Sequence, residues 1–171
     1  MKRLLVSAAV LGLLTSAPAF AQTTQVSAPA TTSADAIVVA PISVSNNGTT
    51  LNFGKIAASS APGTVAIDSA GTLTSSAPNL HVAGSTGSVP TFTVTGAASL
   101  AYTANIPATA TLLLTPGGGA SMSANLSKSG GAASLSAGGT DTFKVVGTLN
   151  VLANQTPGTY HGTFDVTVQY N

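Results

Sequence analysis

From residue 160 onward the side chains alternate without a break. Tyr160, Gly162, Phe164, Val166, Val168 and Tyr170 fall on one side, and His161, Thr163, Asp165, Thr167, Gln169 and Asn171 on the other. A period of two puts each set on one face of a pleated strand; a helix repeats its faces every ~3.6 residues and cannot separate them. Chain ends fray unless they are tied down. An apolar face here is therefore expected to lie against a second layer.

Shorter runs of the same kind recur upstream. Leu51 and Phe53 alternate with Asn52 and Gly54, Phe92 and Val94 share a face, and Met122, Ala124 and Leu126 are in phase. Phe143, Val145, Leu149 and Val151 keep their phase through Gly147. Residues 64–68 precede a Ser-Ala-Gly turn and a short second arm near residues 72–74. Residues 100–106 alternate less strictly, through Leu100, Tyr102 and Ile106. Three consecutive leucines within residues 111–115 predict a strand buried on both faces or crossing a sheet edge. Asn46-Asn47-Gly48 and Pro116-Gly117-Gly118-Gly119 mark turns. Turn signals about every 8 to 12 residues suit an antiparallel sandwich or barrel. No apolar repeat has helical spacing, and residues 22–171 hold neither Glu nor Arg, two of the usual exposed helix formers. The fold class is all-β.

The opening of the chain addresses the compartment. Lys2 and Arg3 precede an uncharged apolar run over residues 4–14, and Ala19-Phe20-Ala21 has the small-x-small pattern of a cleavage site. Residues 1–21 thus read as a secretory signal peptide. The run is too short for a stable span, which needs about 20 residues, so the mature chain is expected to have no integral membrane span. Residues 22–35, polar, small and Pro-containing, read as a flexible N-terminal extension, and residues 36–171 as one β-domain. The mature chain keeps three lysines (Lys55, Lys128, Lys144) against four aspartates (Asp35, Asp68, Asp141, Asp165), a net charge of −1. That excludes a nucleic-acid partner and a polybasic membrane surface, both of which need clustered cations. The chain is 44% hydrophobic, too apolar for disorder, and holds no cysteine, hence no disulfide frame and no thiolate chemistry.

Catalysis, metal binding and cofactor binding all lack a constellation. His81 and His161 have no ligand-like spacing with carboxylates, and no nucleophile-elbow pattern surrounds any serine. The glycine runs at residues 117–119 and 130–131 lack the Lys-Ser/Thr of a phosphate loop and read as turns. The expectation is a protein that is not an enzyme and has no cofactor and no metal.

The C-terminal ribbon resembles that of chaperone–usher pilus subunits, which end in an alternating apolar strand with a next-to-last aromatic and a glycine fourteenth from the end. Tyr170 and Gly158 occupy those two places, with Phe164, Val166 and Val168 between them. Residues 38–44 followed by Leu51-Asn52-Phe53-Gly54-Lys55-Ile56 resemble the first strand of pilins, with Ile42 where those proteins place one cysteine; the second would fall near Ala97 or Ala98. Together with Ser136-Ala137-Gly138-Gly139-Thr140-Asp141-Thr142-Phe143, Thr148-Leu149-Asn150-Val151 and Gly158-Thr159-Tyr160, these phrases are similar to a cysteine-free, pilin-like bacterial family, the domain of unknown function 4402.

The pilin resemblance implies an immunoglobulin-like antiparallel β-sandwich with an incomplete sheet edge. A periplasmic chaperone, and then the extension of a like subunit, would supply the missing strand, linking copies into a fibre at the cell surface. Gly158, Phe164, Val166, Val168 and Tyr170 are then the residues facing chaperone or donor strand. Four or five buried apolar side chains would contribute about 6 to 15 kcal/mol before entropy. The candidate donor residues are Val26, Ala28 and Ala30, joined by Ile37 and Val39. The first three are small, so either the donor takes in residues 36–39 or assembly does not proceed this way. The alternative is a monomeric secreted or surface-attached β-sandwich that binds a ligand such as a glycan. Against it, there is no Trp, and Tyr102, Tyr160 and Tyr170 point inward by phase.

Overall fold

A computed structural model describes residues 28–77, 80 and 82–171. The signal segment 1–21, residues 22–27 with Val26, and His81 lie outside the described residues. Residues 28–37 are exposed and have no regular secondary structure. Val38–Asn171 is a compact unit of its own.

That unit is built from strands β1 (Ser43–Asn46), β2 (Gly63–Ile67), β3 (Leu73–Ser75), β4 (Thr91–Thr95) and β5 (Tyr102–Asn105), then β6 (Thr109–Thr115), β7 (Ser121–Ser129), β8 (Thr140–Val151), β9 (Thr159–His161) and β10 (Thr167–Tyr170). Among the described residues there is no helix. The fold is an all-β antiparallel sandwich of immunoglobulin-like kind.

Its spine is β8. Phe143, Val145, Gly147, Leu149 and Val151 are buried on one face, as the period of two requires. One edge of β8 pairs with β7, from Lys144 to Asn150. The other edge is divided: β4 takes Thr140 to Lys144 and β2 takes Gly147 to Val151. The main sheet runs β1-β4-β8-β7-β6-β9, with β3 outside β2, and β10 pairs with β5 in a second, two-stranded sheet. Phe92 and Phe143, opposite one another across β4 and β8, stack with ring centroids 5.5 Å apart at the centre of the core.

One sequence expectation needs correction. The leucine triplet on β6 is not buried on both faces. Leu112 and Leu114 turn inward, whereas Leu113 is 53% exposed, because the outer face of this sheet meets solvent. Asn46-Asn47-Gly48 does form the turn that its residues signal, though not a hairpin. The Asn46 side chain accepts from Gly48 N–H and donates to the Thr49 carbonyl, both at 3.1 Å, and Gly48 has φ +84°. That step lets the chain continue along the same edge. β1 pairs with β4, and the following stretch bridges to Ser88 through Asn52.

Tyrosine hydroxyls tie the small sheet to the large one. Tyr102 on β5 donates to Asp141 Oδ2 at 2.6 Å, and the Ala132 N–H donates to the same oxygen at 2.7 Å. Lys128 Nζ stands 5.3 Å and 5.1 Å from the ring centroids of Tyr102 and Phe143. Desolvation by itself would raise the Asp141 pKa. The hydrogen bonds from Tyr102, Ala132 and Thr142, with the Lys128 charge, outweigh it and hold the carboxyl below its ordinary range. Desolvation, then the bond to Asp141 and its charge, push the Tyr102 phenol well up. Because the folded-state pKa of Asp141 is lowered, its contribution is whole above the unfolded value of about 3.9 and fades as pH falls through the folded one. Asp141→Ala is expected to cost about 1 to 3 kcal/mol at pH 7 in equilibrium urea denaturation. The gap to wild type should narrow below about pH 4; a gap independent of pH would contradict this account.

A candidate strand-acceptor groove

The path from β1 to β9 leaves two ends, and each is a strand with one paired edge. Among the described residues, β1 pairs only with β4, and β9 only with β6. Beyond β1 the same rim continues through Asn52, whose backbone bonds to Ser88 on its sheet side. Beyond β9 the opposite rim continues through residues 162–166, which belong to no strand, into β10, which pairs only with β5.

Between these rims lies a groove of about 840 Å³. Leu51, Phe53 and Ile56 line it from the first rim, and Gly158, Tyr160 and Gly162 from the last. Leu112, Met122, Leu149 and Val151 line it as well, presented by β6, β7 and β8. Phe53, Met122, Leu149 and Val151 belong to the buried core, so the hollow reaches it directly. Ile42, Val44, Leu51 and Ile56 along one rim are only partly buried, as are Tyr160, Phe164, Val166, Val168 and Tyr170 along the other; all of them pack on the core. An unpaired edge combined with a half-covered apolar row is the surface that accepts an added strand. Backbone groups provide the pairing, and alternate side chains fill the hollows.

The residues singled out from the sequence fall as follows. Phe164, Val166, Val168 and Tyr170 sit on the last rim with alternate exposure, facing inward. Gly158 is at the rim's start with φ +151°, a conformation that favours glycine, and a Cβ there would push on Leu114 Cδ1. Ala28, Ala30 and Ile37 are exposed, Ile37 at 91%; Val39 is 46% exposed, and Val26 lies outside the described residues. His161 is exposed on β9, opposite Leu113, and lines the groove mouth.

One feature escaped the sequence reading. The Tyr170 hydroxyl donates to the Ala40 carbonyl at 2.8 Å and accepts from the Ala97 N–H at 2.6 Å. It thereby joins β10 to the chain just before β1 and just after β4. Nothing in an alternation pattern says where a tyrosine's oxygen ends up. The pilin resemblance came nearest, by placing its cysteines at Ile42 and at Ala97 or Ala98, beside the two backbone groups that the hydroxyl joins.

No curated protein and no solved structure matches the chain. One protein family, described as Domain of unknown function (DUF4402), matches residues 42–170. That span opens one residue before β1 and closes on Tyr170, so it takes in both rims and all the strands between them. The chain belongs to the DUF4402 family.

Proposed function

We propose that this protein is a structural subunit of a bacterial surface fibre and assembles by β-strand complementation. One observation carries the reading: two unpaired rims, each with a half-covered apolar row, face each other across a groove that opens onto the core. A monomer that remained alone would leave both the edge hydrogen-bonding groups and the apolar rows to water. The exposed apolar stretch at Ile37 and Val38, 91% and 94% exposed, is a second surface in want of cover. Joining the extension of one copy to the groove of the next satisfies both at once, and the head-to-tail contact generates an open filament.

In this reading residues 1–21 send the chain out of the cytoplasm. A periplasmic chaperone fills the groove in transit, and like subunits replace it at the cell surface. The protein acts by assembly and not by catalysis, without cofactor or metal. The test is electron microscopy of producing cells with and without the gene, together with gel analysis of unheated periplasmic protein in mild detergent. Fibres that disappear with the gene, and a ladder of multimers that collapses on boiling, are the expected result. A concentration-independent monomer with no ladder would overturn it in favour of a self-sufficient surface-binding domain.

A further inference from the structure

The two rims are parted at one end and bridged at the other. At the Gly158 end the rims are parted by the hollow over Leu112 and Met122. At the opposite end the Tyr170 side chain crosses from the last rim to the first, and its hydroxyl engages the Ala40 carbonyl and the Ala97 N–H. Those groups lie just past the final rung of the β1–β4 ladder, Ser43 opposite Thr95. The bar is fitted to its place, since a Cβ on Gly96 would overlap the Tyr170 hydroxyl.

We propose that Tyr170 is a register stop: it fixes how far an inserted strand runs along the groove. The inference rests on the strand-complementation reading and adds a positioning role to it. A strand bound between the rims can slide in steps of two residues and still present the same face inward. Apolar contact inside the groove is non-directional and penalises such slides weakly. A closed end penalises them sterically, because the next residue would have to displace the hydroxyl and its two partners. Tyr170 is thus the element that converts an adaptable groove into one with a single seating, and every copy in a filament is joined at the same spacing.

The chain contains no cysteine, so engineered cysteines report on register without background. Ser45→Cys, at an exposed position of β1, is combined, in the full chain, with single cysteines walked along residues 28–36. An added strand would lie ~4.8 Å from β1, within reach of a disulfide between directly opposite residues. With Tyr170 intact, intermolecular cross-linking is expected to peak at one position of the walk. With Tyr170→Phe, which removes only the hydroxyl, the peak should move by about two residues or spread over two positions. Gly96→Ala displaces the hydroxyl by another route and should produce the same change. A peak unmoved in both variants overturns the register stop and leaves complementation standing. A loss of stability alone, with the peak in place, also counts against it, because that is what a purely structural hydroxyl would show. Absence of intermolecular cross-links at every position, in all three backgrounds, overturns complementation itself.

Discussion

A chain lacking residues 22–35 is expected to fold, to remain bound to its chaperone, and to form no ladder. The described part of this segment, residues 28–35, is exposed throughout, and its one hydrogen bond runs between neighbours, from Thr32 to Ser33. The compact unit begins at Val38, and its first clasped group is the Ala40 carbonyl. Among the described residues, the deletion therefore removes no core side chain and no sheet rung, and thermal unfolding of the isolated domain should shift by no more than the ~0.5 kcal/mol typical of surface changes. Assembly, in contrast, should be lost entirely, because each copy keeps its groove and the residues left of the candidate donor, Ile37 to Val39, are too few to fill a neighbour's. Size-exclusion chromatography and the unheated gel read the two effects separately. A ladder that persists in the deletion chain would remove residues 22–35 as donor; unfolded protein would show that the segment belongs to the domain.

Phe143→Ala should have the largest effect of any single truncation on the folded domain, a loss of about 3 to 5 kcal/mol. The side chain is 2% exposed, stacks on Phe92 and lies under Lys128. It also pairs with β4 one residue before Lys144, where the β7 ladder on β8 begins, so the cavity would open beside the junction of three strands and could not easily collapse. Against a total stability of roughly 5 to 15 kcal/mol for a domain of this kind, such a loss removes a large fraction of what holds the domain folded. Leu113→Ala, on the exposed face of β6, should change stability by less than about 0.5 kcal/mol. Urea denaturation of the two variants beside wild type decides the matter, and similar midpoints for both would contradict this picture of the core.

The parts legible in the sequence were those written in a period of two. On β4, β7, β8 and the last rim, Phe92, Met122, Val145 and Val168 face as their alternation requires, because burial of one face is what selects such a pattern. Leu113 misled because composition does not encode which sheet face meets solvent. At Asn46-Asn47-Gly48 the turn was legible and the pairing was not, because a turn signal specifies local backbone and not the partner of the flanking strand; β1 pairs with β4, from residue 91. The division of β8 between β4 and β2 was invisible for the same reason. The open rims were anticipated only through the resemblance to pilins, and the Tyr170 clasp not at all. Side-chain hydrogen bonds between residues 130 positions apart leave no periodic trace.

The clasp and the β1–β4 ladder have a mechanical consequence. Tension applied through the N-terminal segment reaches the domain at Ala40, where the Tyr170 hydroxyl lies, and then runs along β1. The cross-strand bonds from Ser43 to Asn46 stand perpendicular to that pull. They are loaded in shear, all at once, instead of peeling one after another. A load along the chain axis must therefore break the clasp and the whole short ladder together before β1 can leave.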